Sequence, residues 1–291
     1  MILPGNSITT HITRRFSCRK YLKRPIDADR QQQLQASMAQ IPLGPFGNKA
    51  RFELIAATER DRRILRGLST YGFIRNATGF IIGATKSGEM CLEDYGYLLE
   101  ILILRATGLG LGTCWLGGTF LKSPFFRKIS VAAGEKVPAV ASVGLIADEV
   151  RVRDAKLRRY LGATFRKSWK DLFFASDFSH PLVLEDVGLY ATPLEMVRIA
   201  PSASNKQPWR IVRSQDCWHF YLARAPGYRE GVASRIRGVE DLQRVDMGIA
   251  MCHFELTVRE MGLPGAWKIE DPGLEQPNLL TEYVATWMPG D

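Results

Sequence analysis

The chain has 291 residues, 46% of them hydrophobic, and carries 39 Lys and Arg against 30 Asp and Glu for a net charge of +9, which is enough apolar material for one large or two medium cores. Its five cysteines (Cys18, Cys91, Cys114, Cys217 and Cys252) form no CxxC or CxxxC pair, and their odd number argues against a disulfide framework and for a reduced, cytoplasmic setting. No apolar run reaches the roughly 18 residues of a membrane span, since Glu100 and Arg105 interrupt the longest, and the first residues lack a signal-peptide h-region.

In chain order, Pro25 followed by the Leu34 and Met38 spacing predicts a helix over residues 26 to 40, and FELIAA predicts a strand after the loop IPLGPFGNKA. The β-branched end of YGFIRNATGFIIGAT predicts a buried strand at Phe80 to Ile82. A long core helix is expected from Leu92 to Thr107, on the spacing of Leu98, Ile101, Leu102 and Arg105, with Gly108 and Gly110 as left-handed caps. VPAVASVGLI, Val137 to Ile146, reads as another apolar strand. The order then repeats: a helix from Pro193 to Ile199, the strands RIVRS and WHFYLA, and a long helix from Leu242 to Met261. Eight Lys or Arg lie between Arg151 and Lys170 in the segment that joins the two series. With no Cys/His finger and no aromatic-interleaved strand beside them, a nucleic-acid partner is not expected.

The repetition is in the residues as well as the elements. Asp94-Tyr95-Gly96, Gly110-Leu111 and Trp115 recur as Asp246-Met247-Gly248, Gly262-Leu263 and Trp267. Both 246 − 94 and 267 − 115 give 152. Asn48-Lys49 with Phe52 recurs as Asn205-Lys206 with Trp209, 157 residues on. Two copies are too few for a solenoid, so the pattern predicts a duplicated α+β domain, two pseudo-symmetric halves packed like a homodimer. The halves are expected at 1–178 and 179–291, with the boundary near Ser176 to Pro181.

Three segments carry chemistry. In Arg15-Phe16-Ser17-Cys18-Arg19, extended backbone puts Arg15, Ser17 and Arg19 on one side, a set suited to a phosphate or another oxyanion; a solvated basic arm is the alternative. In Ala200-Pro201-Ser202-Ala203-Ser204-Asn205-Lys206-Gln207-Pro208-Trp209, two prolines stiffen a loop whose amides offer donor and acceptor side by side, suited to the edge of a heterocycle such as a flavin pyrimidine; an ordinary capping turn is the alternative. Gly108 to Gly118 follows a helix instead of opening one, so neither phosphate-loop fingerprint has its context. Its end, Leu116-Gly117-Gly118, leaves room for a planar ring against the main chain.

Through RFSCR, APSASNKQPW and LGLGTCWLGG the chain resembles the nitroreductase family of FMN-dependent oxidoreductases. In particular it resembles the putative TM nitroreductase branch, in which one chain holds two copies of the nitroreductase half. The resemblance runs from about Arg14 to Trp267 and implies a nitroreductase-like fold with FMN between the halves. It implies that Arg15, Ser17 and Arg19 hold the phosphate and ribityl chain, with Arg166 and Lys167 as a looser late basic contact. Pro201, Ser202, Asn205 and Gln207 would reach the ring from the other half, and Leu116, Gly117 and Gly118 would lie against its middle. The first copy has Gly44-Pro45-Phe46-Gly47-Asn48 in place of the polar loop, and the second has Trp267-Lys268-Ile269-Glu270 in place of the glycine wall and no Arg-x-Ser-x-Arg. One FMN per chain is therefore expected, in a monomer that imitates the family homodimer.

The implied activity passes hydride from NAD(P)H through the flavin to a small nitroaromatic or quinone-like acceptor, donor and acceptor using the same space in turn, with no catalytic side chain and no metal. Reductive dehalogenation on the same fold, or flavin binding without turnover, are the alternatives. His11, His180, His219 and His253 show no metal spacing and read as structural or surface residues, Cys114 as an inert core thiol, and Lys49 and Lys206 as solvated.

Overall fold

The computed structural model describes residues 7–146, 165–228 and 239–290. Of the basic run, residues 151–164 lie outside that range. In the first half, β1 (Ala50–Ala56), β2 (Gly79–Lys86), β3 (Leu111–Leu116) and β5 (Val140–Leu145) form an antiparallel sheet in the order β1-β2-β5-β3, with the short β4 (Glu135–Lys136) paired to β2. In the second half, β7 (Trp209–Ser214), β8 (Cys217–Ala223), β10 (Thr281–Pro289) and β9 (Gly265–Lys268) repeat this as β7-β8-β10-β9. The duplication therefore extends from residues to strand order. The second sheet has a further member, β6 (Phe173–Ala175), parallel to β7. It lies just before the expected 178/179 boundary, where Ala175 N donates to His180 O at 2.8 Å.

Two long helices lie between the sheets: α3 (Cys91–Gly108) and α6 (Leu242–Glu260). Both are buried nearly all round, as helices enclosed by protein must be, and a single core runs from Ile8 through both to Trp287. Their contact is reciprocal. A Cβ on Gly96 would stand 2.1 Å from the Val245 carbonyl oxygen, and one on Gly248 would stand 1.9 Å from that of Glu93. Since 248 − 96 and 245 − 93 both equal 152, these are the two ends of one pseudo-twofold contact. Each helix is followed, two residues on, by a left-handed glycine, Gly110 (φ +76°) and Gly262 (φ +72°). Gly108, expected as a second left-handed cap, is instead the last residue of α3, and a Cβ there would stand 3.0 Å from the His11 ring.

Helix α2 (Ala28–Ala39) starts where Asp27 accepts from Arg30 N at 3.0 Å, and α5 (Ala191–Arg198) packs on α6. The helices α1 (Ile8–Arg14) and α4 (Lys122–Lys128), and the strands β6, β9 and β10, are not among the predicted elements.

Gly96→Ala and Gly248→Ala are each expected to destabilise the fold by about 3 kcal/mol or more, because the clash is with backbone that cannot rotate away. Gly110→Ala, with open space around it, is expected to cost only about 1 kcal/mol for its positive φ. Urea unfolding of the three variants checks this; equal losses would refute the close helix contact.

Candidate functional site

Leaving α1, the arm Arg15 to Lys20 runs beside the free edge of β3, where Ser17 bridges to Thr113 and Cys18 N donates to Thr113 O at 2.8 Å. Cys18 points into the core, tight against Gly112. Arg15, Ser17 and Arg19 alternate with it, the extended geometry the spacing predicts. Arg19 lays its guanidinium 5.0 Å from the Phe73 ring centroid. Arg15 is only 5% exposed, with Nε 3.8 Å from Glu100 Oε1 and no hydrogen-bond partner for that Nε among the described residues.

Arg166 closes on this arm from the other side. Burial pushes its pKa down to about 10, and repulsion from Arg15 and then Arg198 adds to the effect. Burial likewise lowers Arg15, against the opposing pull of Glu100. Arg198 is already paired with Glu195, but the repulsion between Arg15 and Arg166 is of the kind an anion between them would offset. Arg198 was not singled out by the sequence; its neighbour in charge, Glu195, binds it at 2.6 Å.

The polar loop and residues 165–167 are one unit. Gln207 is fully buried: its Oε1 accepts from Lys167 N at 2.8 Å, its Nε2 donates to Asn205 O at 3.1 Å, and its backbone N donates to Ser202 Oγ at 2.8 Å. Asn205 donates to Phe165 O at 2.9 Å and accepts from Arg166 Nη1 at 3.3 Å. Lys167 reaches Gln207 O at 3.3 Å, and burial, then the Arg210 charge, lowers its pKa to about 8. Ser204, Asn205 and Gln207 all have positive φ, a strained loop that its contacts hold in place. Pro201 lies half-buried at its start. The amides expected at a ring edge thus spend their hydrogen bonds on fixing Arg166 and Lys167. The loop is tied to α6 by Ala203 N donating to Asp246 Oδ1 at 2.9 Å.

The glycine wall faces the second half. Leu116 is wholly buried, a Cβ on Gly117 would meet Leu242 Cδ1 at 2.3 Å, and one on Gly118 would meet Val239 at 3.6 Å. Both neighbours belong to the second half. A flavin phosphate fits the donor set of Arg15, Arg166, Ser17 and Arg19, while a ring on this wall requires Leu242 to turn aside. Behind the wall, Trp115 Nε1 donates to Glu100 Oε2 at 2.7 Å, and His253 makes contacts of 2.9 Å to both Glu100 Oε1 and Met196 O. Glu100 and His253 are fully buried. In the sequence, the one signal for Glu100 is a carboxylate inside an otherwise apolar helical run. Lys49 and Lys206 are exposed. Among the described residues there is no group of three metal-ligating side chains, and no helix long and apolar enough to cross a membrane.

Residues 7–258 match the family model described as "Putative TM nitroreductase". In fold the chain is similar to the crystal structure of a "putative nitroreductase" from Thermotoga maritima, with 18% identity and a TM-score of 0.60 over 97% of this chain and 93% of that one. A nitroreductase with bound FMN from Bacteroides fragilis is similar at 20% identity and a TM-score of 0.39, over 50% of this chain and 90% of its own. Another, in complex with FMN, from Desulfovibrio desulfuricans, is similar at 22% identity and a TM-score of 0.39, over 50% of this chain and 88% of its own. No curated protein matches the chain.

Two outcomes follow from the electrostatics. Inorganic phosphate is expected to raise the melting temperature beyond chloride of equal ionic strength, as a ligand of the native state does, and Arg15→Gln should remove most of that increment; an undiminished increment would place the anion elsewhere. Burial raises the Asp246 carboxyl well above the ordinary range, the Ala203 amide opposing it, and Oδ2 has no hydrogen-bond partner among the described residues. A folded pKa above the unfolded one, about 3.9, gives stability that is complete below that value and lost as pH rises through the folded pKa. Asp246→Asn is therefore expected to unfold at higher urea than the native chain at pH near 7, with the gain vanishing near pH 4; a loss at both pH values would show that the loop needs the carboxylate.

Proposed function

Because the chain belongs to the "Putative TM nitroreductase" family over residues 7–258, we propose that it is an FMN-dependent oxidoreductase that passes hydride from NAD(P)H to a small organic acceptor of nitroaromatic or quinone type. The observation that carries this reading is the convergence of Arg15 and Arg166, cations from the two ends of the first half, beside the Asn205–Gln207 loop of the second. FMN, when bound, supplies hydride acceptance and donation. The chain supplies place and charge. Arg15 and Arg166, with Ser17 and Arg19, would hold the phosphate by charge-assisted hydrogen bonds. Ser202, Asn205 and Gln207 keep Arg166 and Lys167 in position, and backbone at Gly117 and Gly118 would border the ring.

One flavin per chain is part of the proposal. In the second half, β9 is the edge of its sheet among the described residues, with no arm alongside as Ser17 lies beside β3. The loop of the first half is anchored to α3 through Asp94, which accepts from Phe46 N at 3.0 Å and from Asn48 N and Nδ2 at 2.9 Å each, as Asp246 anchors the second, but it has no counterpart of Ser202 or Gln207. A second reading, flavin binding without turnover, is favoured by Leu242 lying over Gly117.

Heat release from the purified protein should yield about one FMN per chain, and NAD(P)H should be consumed with a quinone or nitroaromatic acceptor. Flavin without consumption would support the second reading, and failure to take up added FMN would end both. Arg15→Ala and Asn205→Ala should each weaken FMN binding by roughly 1.5–3 kcal/mol, Arg15 through a direct charged contact and Asn205 by releasing Arg166.

A further inference from the structure

Building on the proposed FMN site, we infer that Glu100 is a positioning residue for Arg15, and that His253 of the second half is what allows a buried carboxylate to stand there. Glu100 is fully buried on α3. Three elements reach it: Trp115 Nε1 from β3 at 2.7 Å, His253 Nε2 from α6 at 2.9 Å, and Arg15 Nε from the arm at 3.8 Å. A carboxylate beside a phosphate site is at first sight misplaced, because it competes for the arginine.

The hydrogen bonds of His253 remove the difficulty. Its Nδ1 faces the Met196 carbonyl at 2.9 Å, and a carbonyl only accepts, so Nδ1 donates. The Nε2–Oε1 contact is then closed by one proton between imidazole and carboxyl. Whichever atom holds that proton, the pair is neutral overall, and the charge of Arg15 is not cancelled. Glu100 can face the Nε edge of the guanidinium and fix its plane while the Nη edge remains to grip an oxyanion, the two-edged use that only arginine permits. Among the described residues the other charged or titratable neighbours are Cys114 and Arg166, which act on Arg15, and Cys252, which Glu100 faces. Since His253 belongs to α6, the arrangement makes the grip of the first half's clamp depend on the seating of the second half's helix. Carboxylates that orient metal-binding histidines act in the same indirect way.

The test is a double-mutant cycle on the full chain freed of ligand, titrated with FMN. Glu100→Gln keeps shape and, because Glu100 and His253 are together neutral, changes no net charge, so electrostatics alone predicts unchanged FMN. The inference predicts weaker FMN instead, by about tenfold, the lower end of what orienting partners contribute at metal sites. In an Arg15→Ala background the same change should not weaken binding further. Tighter or unchanged FMN in Glu100→Gln, or an equal loss in both backgrounds, would overturn the inference. If the native chain takes up no FMN, the FMN reading fails separately; the cycle is then run with inorganic phosphate as probe, where Arg15–Glu100 coupling sustains the inference and no phosphate effect ends it. If near-UV circular dichroism shows that Glu100→Gln does not fold, Arg15→Lys replaces it. That variant keeps the charge but has no second edge, so it should bind FMN about as weakly as Arg15→Ala, and native affinity would refute positioning.

Discussion

The structure depends first on the approach of α3 to α6. Helices cross at 8 to 10 Å when ordinary side chains separate them, but here Gly96 and Gly248 each let the partner's backbone carbonyl occupy the place of a side chain. Everything proposed for function lies across this contact. The arm is held by α3 and β3, the polar loop is anchored through Asp246 on α6, and Arg166 stands between them. A symmetric pair of glycines thus sets the geometry of an asymmetric site.

The second constraint is electrostatic. Placing Arg15, Arg166 and Arg198 within reach of one another in a poorly solvated region opposes folding, and the local hydrogen bonds serve to hold that arrangement rather than to relieve it. Asn205 and Gln207 take the backbone and side chains of residues 165–167, and the strained φ values of their loop are sustained by those bonds. An anion held between Arg15 and Arg166, as proposed, would offset their repulsion.

Much of this was legible in the residues because two copies check each other. The 152-residue offset foretold two pseudo-symmetric halves and their shared glycines, Gly110 and Gly262, but not that α3 and α6 would be the elements in contact. The extended Arg15–Arg19 arm was legible from its period of two. Strand β6 was not, because three residues carry no period, and its place beside β7 is set by a tertiary pairing. Gly108 misled because Gly at a helix end has two uses, a left-handed turn or a close approach, and the His11 ring that decides between them is distant in sequence. The roles of Asn205 and Gln207 were half legible: the residue types announced a fixed polar loop, but whether amides face a ligand or a neighbouring segment depends on where residues 165–167 run.

Glu100 shows how a duplicated chain can keep a structural need while moving the chemistry. Trp115 and Trp267 are repeats of one another, and each half-buried indole must place its N–H somewhere. Both donate to a glutamate on the long helix of their own half at 2.7 Å, yet the acceptors are Glu100 and Glu255. These are not repeats: the counterpart of Glu100 is Cys252, and that of Glu255 is Ile103. Glu255, itself buried, meets Arg259 one turn on and Tyr97 of α3, and no clamp arginine. Glu100 meets His253 and Arg15, in the interior between the halves. An indole can accept either solution, so packing alone does not choose the one that buries a carboxylate against a clamp arginine. The choice is explained if that carboxylate has work to do on Arg15, whereas the glutamate of the second half, equally buried, is paired with Arg259 of its own helix.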